Sequence, residues 1–337
     1  MKKLISIVLV IMLMAVSMVG CQAKVADVYP SRSVNNIIPF GAGGGTDLWN
    51  RSLAASMEAT LGQKVISSNM TGGTAGSTGT SYVWGGPHDG YTILGTSETP
   101  LTIPVMTGIK QTSKDWEYFI AGGSPGLLLA NKASGYTNFA DLIAAAKASP
   151  DEIKIASTSG GLWFLLANLF NGYGDIPLGN VTYDGSRPAI TACVSGETAL
   201  VMASAGEVAE FIKSGDLIPL TTTQTVDYDM PGFGVIEAVT KQVPVLEKNL
   251  PLSQFIGFCV PMDTPEEIKV KLRASFKAAM ETPEIKEFAT AQYAVIYNLT
   301  EKEASTFAAK AESIMSWMLD DLKLSKFSPA DLGIAKP

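Results

Sequence analysis

Residues 34–50 read VNNIIPFGAGGGTDLWN, and the order of apolar and polar positions predicts a strand, a glycine loop and a helix. Ile37 and Ile38 close the strand, Pro39-Phe40 lead into the glycines, and Trp49, Leu53, Met57 and Leu61 recur at the spacing of one helical face. Glycine lets backbone N–H groups approach a guest without a Cβ in the way. The unpaired N–H groups of a first helical turn offer an anion a site. The stretch therefore predicts half of an anion-binding pocket.

The same alternation continues. Residues 64–68 read as a second strand entering the loop 69–79, with a helix over 80–84. A turn at 87–90 precedes a strand over 91–96 that ends in Thr96-Ser97-Glu98-Thr99. Two βα units in a parallel sheet place both loops in one crevice, where ligands of open α/β sheets sit. Two apolar runs within 117–131, split by Gly122-Gly123-Ser124-Pro125-Gly126, predict a crossing into a second lobe. There an amphipathic helix over 139–148 and a strand over 153–156 reach a third small-residue loop, 157–161. The helix behind it, 162–171, is apolar almost all round and should be buried. A strand over 180–183, the turn Asp184-Gly185-Ser186, a helix over 188–195 and a strand over 198–203 ending at Ser204 follow. Residues 217–222 are expected to carry the chain back to the first lobe. Thr264-Pro265-Glu266-Glu267 and Thr300-Glu301-Lys302-Glu303 read as capping boxes of two late amphipathic helices packed on that lobe. The expected division is 34–124 with 226–337 as lobe 1 and 125–225 as lobe 2, after a linker at 21–33.

Composition narrows the class. A chain of 337 residues with 46% hydrophobic and 17% charged residues is that of a folded globular protein long enough for two lobes. A formal charge of −7 without a basic tract argues against nucleic acid. It leaves small anions open, because a local ring of N–H dipoles outweighs a diffuse charge. Residues 1–20 form a processing segment: Lys2 and Lys3, then an apolar run over 4–16. Ser17-Met18-Val19-Gly20-Cys21 resembles a bacterial lipobox, with Met18 in place of the more usual leucine. That implies cleavage before Cys21, lipid on its sulfur and a membrane-tethered extracytoplasmic protein. An ordinary secretory signal or an uncleaved anchor is the alternative. Cys193 and Cys259 sit in apolar patterns and read as buried free thiols, a disulfide being open but unsupported. With one histidine, His88, and no CxxC, no metal site is expected.

Catalysis needs an activated nucleophile, a metal or tuned carboxylates, and none is apparent. His88 lies in a turn with no GxSxG partner. No lysine follows the glycines as in a phosphate loop, and Gly41-x-Gly43-x-x-Thr46 lacks the third glycine of a dinucleotide loop. Three loops of small and hydroxylated residues remain, and such loops bind. Asp47 faces either the cleft or its own helix N-terminus. Trp163 and Phe164 wall a cleft or pack a core, and Tyr183 at a strand end is the better cleft candidate.

At this resolution the residues resemble a family. Residues 30–33 leading into Ile38-Pro39-Phe40-Gly41-Ala42-Gly43-Gly44-Gly45-Thr46-Asp47 are similar to the opening of the tripartite tricarboxylate transporter receptors, the Bug or TctC family. Matches continue in order through 69–79, Asp89-Gly90-Tyr91-Thr92, Gly95-Thr96-Ser97, 183–189 and 256–261 with Thr264-Pro265, covering essentially the whole mature chain. The resemblance implies a type II periplasmic-binding-protein fold, two α/β lobes closing on a ligand. It implies a monomeric, non-catalytic, cofactor-free receptor for a small organic carboxylate, delivering it to a permease of one large and one small membrane subunit. Carried onto this chain, the ligand-binding set is Ala42, Gly43, Gly44, Thr46, Asp47, Thr74, Ala75 and Gly76, with Ser97, Ser159, Gly160, Tyr183 and Ser204 as further nominees. Two positions depart from the family pattern: Phe164 where a histidine is frequent, and Asp184 where a basic residue is common. Both imply that the far end of the ligand is apolar, neutral or amine-bearing, not a second carboxylate. Two other readings stay open: a sensory component presenting its solute to a membrane kinase, and a hydrolase or transferase on a similar frame.

Overall fold

A computed structural model describes residues 29–252 and 254–337. The leader at 1–20 and Cys21 lie outside the described residues. The first strand, β1 (Val34–Ile38), is followed by the expected helix, α1 (Gly45–Leu61). β2 (Val65–Asn69) and β3 (Thr92–Ser97) flank β1 in parallel, with α2 (Ser77–Trp84) between them in sequence. A short helix, α3 (Ile103–Thr107), leads to β4 (Trp116–Gly123). Edge strand β2 buries only Val65 and then alternates exposed and half-buried residues, whereas β4 is buried at every position, as a central strand covered on both faces must be.

The chain crosses at Ser124-Pro125 into β5 (Gly126–Asn131), the start of a second sheet. Then come α4 (Phe139–Ala148), β6 (Lys154–Thr158), α5 (Leu162–Gly172), β7 (Gly179–Tyr183), α6 (Ser186–Val194), β8 (Leu200–Ser204), α7 (Ala205–Ser214) and β9 (Leu217–Thr222). The five strands order as β7-β6-β8-β5-β9. β9 corrects one expectation: it does not return to the first lobe but pairs antiparallel with β5 along Leu127 to Asn131. The fully buried Leu127, Leu128 and Leu129 need a hydrogen-bonded neighbour on that side, and β9 supplies it.

The return runs through the small hairpin β10 (Tyr228–Met230) and β11 (Gly234–Ile236) to β12 (Ile256–Pro261). β12 inserts antiparallel between β3 and β4. Helices α8 (Glu266–Met280) and α9 (Pro283–Ala291), strand β13 (Val295–Leu299) and helix α10 (Glu301–Asp321) complete the chain, giving the six-stranded order β13-β4-β12-β3-β1-β2. The result is two α/β lobes, each around its own sheet.

The face of α1 read from Trp49, Leu53 and Met57 packs on Phe258, Leu272 and Phe276. α5 is buried as expected, and its Leu165, Leu169 and Phe170 share a core with Leu246, Met315 and Leu319. α10 therefore bridges both lobes, because its earlier residues Ala304 and Ala308 pack with Phe255 and Ile120 of the first. Neither capping box forms as read. Pro265, not Thr264, is the N-cap of α8, and the Thr264 hydroxyl is buried without a partner. Thr300 is the N-cap of α10 but makes no side-chain cap, since Glu301 sits at φ +54° with its carboxylate 3.6 Å from Arg273 Nη1. Cys193 and Cys259 are buried free thiols, and burial pushes Cys193 up to about 12.

Candidate functional site

Parallel strands β1, β2 and β3 release their loops at one end of the first sheet, and parallel β6, β7 and β8 do so in the second. The two sets of loops meet. Ala75 N–H donates to the Ser159 carbonyl at 3.1 Å, and the Thr102 hydroxyl donates to the Gly160 carbonyl. A Cβ at Gly161 would stand 2.3 Å from Thr99 Cγ2, so only glycine admits this approach. Two cavities occupy the seam. One is lined by Phe40, Gly44, Gly45, Thr46, Ser97, Glu98, Thr99, Thr158, Trp163, Ser186, Glu207 and Gln254, among others. The other lies against Pro39, Phe40, Gly72, Gly73, Ala75, Gly76, Thr158, Ser159, Tyr183 and Asp184.

The nominated residues divide between lining and support. Gly44, Thr46 and Ser97 line the first cavity; Ala75, Gly76, Ser159 and Tyr183 line the second. Ala42, Gly43, Asp47, Thr74, Gly160 and Ser204 line neither. Asp47 is 3% exposed, and its carboxylate accepts from Gly43 N (2.9 Å), Arg51 Nε (2.9 Å) and Asn69 Nδ2 (2.8 Å). It braces the glycine loop, with Gly43 at φ +79°, and lines neither cavity. Asp47 is also not the N-cap: that position is Gly44, and Asp47 stands in the first turn, where an anion suits the helix dipole. Thr74 packs its methyl on Gly160. The Tyr183 hydroxyl donates to Glu197 Oε1 at 2.9 Å, and desolvation with that bond raises its pKa to about 12.

The acidic groups are what the sequence reading missed. Glu207, in the first turn of α7, reaches across the seam so that Oε1 accepts from Gly45 N–H at 2.7 Å. The same oxygen takes the Ser186 hydroxyl, and Oε2 takes the Ser204 hydroxyl at 2.6 Å. The N-terminus of α1 thus already holds a carboxylate, the protein's own. Glu98 is 1% exposed; its oxygens accept from Phe255 N–H (2.9 Å) and the Thr99 hydroxyl (3.3 Å). Burial, with a smaller repulsion from Glu207, pushes its carboxyl up to about 7. A signal for Glu207 existed: Ser204-x-x-Glu207 at a strand exit is a capping-box pattern. No local pattern announces Glu98, whose burial depends on the arrival of Phe255.

Trp163 lines the first cavity, while Phe164 packs against the second lobe's core and lines neither. His88 is remote, held between Asp263 Oδ1 (2.5 Å) and the Trp84 carbonyl (2.9 Å). Among the described residues no cluster of three or more His, Cys, Asp or Glu could hold a metal.

The family model for the tripartite tricarboxylate transporter family receptor matches residues 49–323. Protein BugT of Bordetella pertussis is 28% identical over 298 residues, covering 87% of this chain and 89% of its own. An uncharacterised-family protein from the tcbD-tcbE intergenic region of a Pseudomonas species is 26% identical over 81% of both chains. Among solved structures, an R. palustris protein with adipate superposes with a TM-score of 0.79 at 22% identity, over 88% of this chain and 99% of that one. MatC from Rhodopseudomonas palustris with bound malate gives 0.77 at 22%, over 87% and 100%. Periplasmic binding protein BugD gives 0.75 at 24%, over 92% and 100%. These structural likenesses establish the two-lobed binding-protein fold.

Proposed function

The chain belongs to the tripartite tricarboxylate transporter receptor family, and from that premise we propose that its cleft captures a small organic carboxylate for delivery to a membrane permease. Receptors of this family bind solutes and are not enzymes. The observation that carries the carboxylate reading is the lining of the second cavity. Gly72 and Gly73 bring backbone to the cavity wall, the Ala75 and Gly76 N–H groups being given to the Ser159 and Gly73 carbonyls, and Ser159 joins them from the opposite lobe. Peptide N–H groups that converge on a concavity hold an anion without a basic side chain. Charge-assisted bonds contribute roughly 1.5–3 kcal/mol each, so a few give micromolar affinity. Adipate in one structural neighbour and malate in another are carboxylates, which supports the class.

In this reading lobe 1 comprises 34–124 with 226–337, lobe 2 comprises 125–225, and the ligand sits between them. The receptor is a monomer outside the cytoplasm, tethered by lipid on Cys21. Its partners are one large and one small integral membrane subunit. Native mass spectrometry of protein purified without denaturation tests the central claim: a retained small acid is expected. A retained neutral or purely cationic compound, with no carboxylate bound in calorimetric titration of a broad acid panel, sinks it.

A further inference from the structure

We infer that Glu207 and Glu98 form a cation-recognising pole of the cleft, so that the captured carboxylate also carries a protonated amine. This rests on the carboxylate reading above and adds the ligand's second functional group and its direction of binding.

Glu207 and Glu98 come from different lobes yet line the same cavity. Asp184 lines the neighbouring one, exposed at its rim. No lysine, arginine or histidine lines either cavity. An amino-free dicarboxylate would bring a second anion beside the Glu207 carboxylate and the buried Glu98, with no basic side chain lining the cavity to offset it. An ammonium reverses the sign.

The donors that would otherwise welcome an anion at this end are already spent. Gly45 N–H and the hydroxyls of Ser186 and Ser204 all point at the Glu207 carboxylate. The ligand's own carboxylate is thereby directed to the glycine-lined cavity beside Gly72, Gly73 and Ser159.

Thr158 marks the junction. It lines both cavities, is 5% exposed, and its Oγ1 is buried without a hydrogen-bond partner. A buried hydroxyl is costly to leave unpaired, so its place between the two poles points to a guest that satisfies it. A hydroxyl can accept from an ammonium or donate to a carboxylate, and both ends of such a ligand pass it.

The test is calorimetric titration of the purified protein with chain-matched probes of four to six carbons. These are straight-chain carboxylates with an amino group at the 2-position or at the far end, their amino-free parents, the dicarboxylates and the alkylamines. At least one amino-bearing carboxylate should bind about tenfold or more tighter than its parent and the matching dicarboxylate. Glu207→Gln and Glu98→Gln, each checked for a native circular-dichroism spectrum, should each cut that preference by about fivefold or more. Parents or dicarboxylates binding as tightly as the amino-bearing probes would overturn the cation pole and leave the carboxylate receptor standing. Retention of the full preference by both variants would also overturn it. Alkylamines binding alone would keep the cation pole and remove the carboxylate reading. Binding of none of the probes would end both.

Discussion

Glu207 Oε1 lies 2.7 Å from the backbone nitrogen of Gly45, a bond between residues of opposite lobes. It sets a side-chain carboxylate on the N-terminus of α1, where the helix dipole and an unpaired N–H favour an anion. Replacing Glu207 by alanine strips the Gly45 amide and the Ser186 and Ser204 hydroxyls of their shared acceptor. The expected loss is about 1–3 kcal/mol, read by urea denaturation at neutral pH. Unchanged stability would show that the contact contributes nothing to closing the seam.

Glycine at 161 is required by contact. An alanine there meets Thr99 at 2.3 Å and must push the β6–α5 loop away from the first lobe. Gly161→Ala should weaken solute binding about tenfold or more, with a larger radius of gyration in X-ray solution scattering. Wild-type affinity together with an unchanged radius would contradict the close approach.

The folded-state pKa of Glu98, about 7, stands above its ordinary 4.5. Protonation therefore favours the folded state. The stabilisation is complete below about pH 4.5 and is lost as pH rises through about 7, a change on the order of 3 kcal/mol. Glu98→Gln, which cannot ionise, should flatten that fall between pH 5 and 8 in denaturation curves. A variant whose pH profile parallels the wild type would refute the assignment to Glu98.

Thr158→Val should separate stability from binding. Removing an unpaired buried hydroxyl should leave the ligand-free protein as stable or up to about 1 kcal/mol more so, while solute affinity falls about tenfold. Lower stability with unaltered affinity would mean that the hydroxyl serves the fold alone.

Away from the cleft, Glu117 on β4 is 4% exposed and accepts from Arg273 Nε at 2.6 Å, with Lys269 Nζ at 3.4 Å. Glu117→Ala leaves two cationic side chains without their buried partner. It should cost about 3–5 kcal/mol in thermal or chemical denaturation. Solute affinity at a temperature where the variant is folded should match the wild type; a shift in affinity would show that this network reaches the cleft.

Periodicity determined the frame. The 3.6-residue recurrence of Trp49, Leu53 and Met57 and the apolar runs on either side of Ser124-Pro125 specify α1 and the crossing between sheets, because burial of a face is written in local spacing. Glycine placement was equally legible, since loops at parallel strand ends share a crevice whatever the details. The registers of single strands and caps were not. β9 stayed in the second sheet because β5 left an edge unpaired, and Thr264 lost its cap to a one-residue shift. The identity of the cleft's charged groups was least legible of all. Asp47, read as a cleft contact or a cap, is held by Arg51 and Asn69, while Glu207, which the sequence reading did not single out, reaches Gly45 across the seam. Local sequence sets which surface is apolar and where backbone can turn. Which carboxylate faces a guest depends on partners 22 residues away in one case and 162 in the other, and only the tertiary fold supplies them.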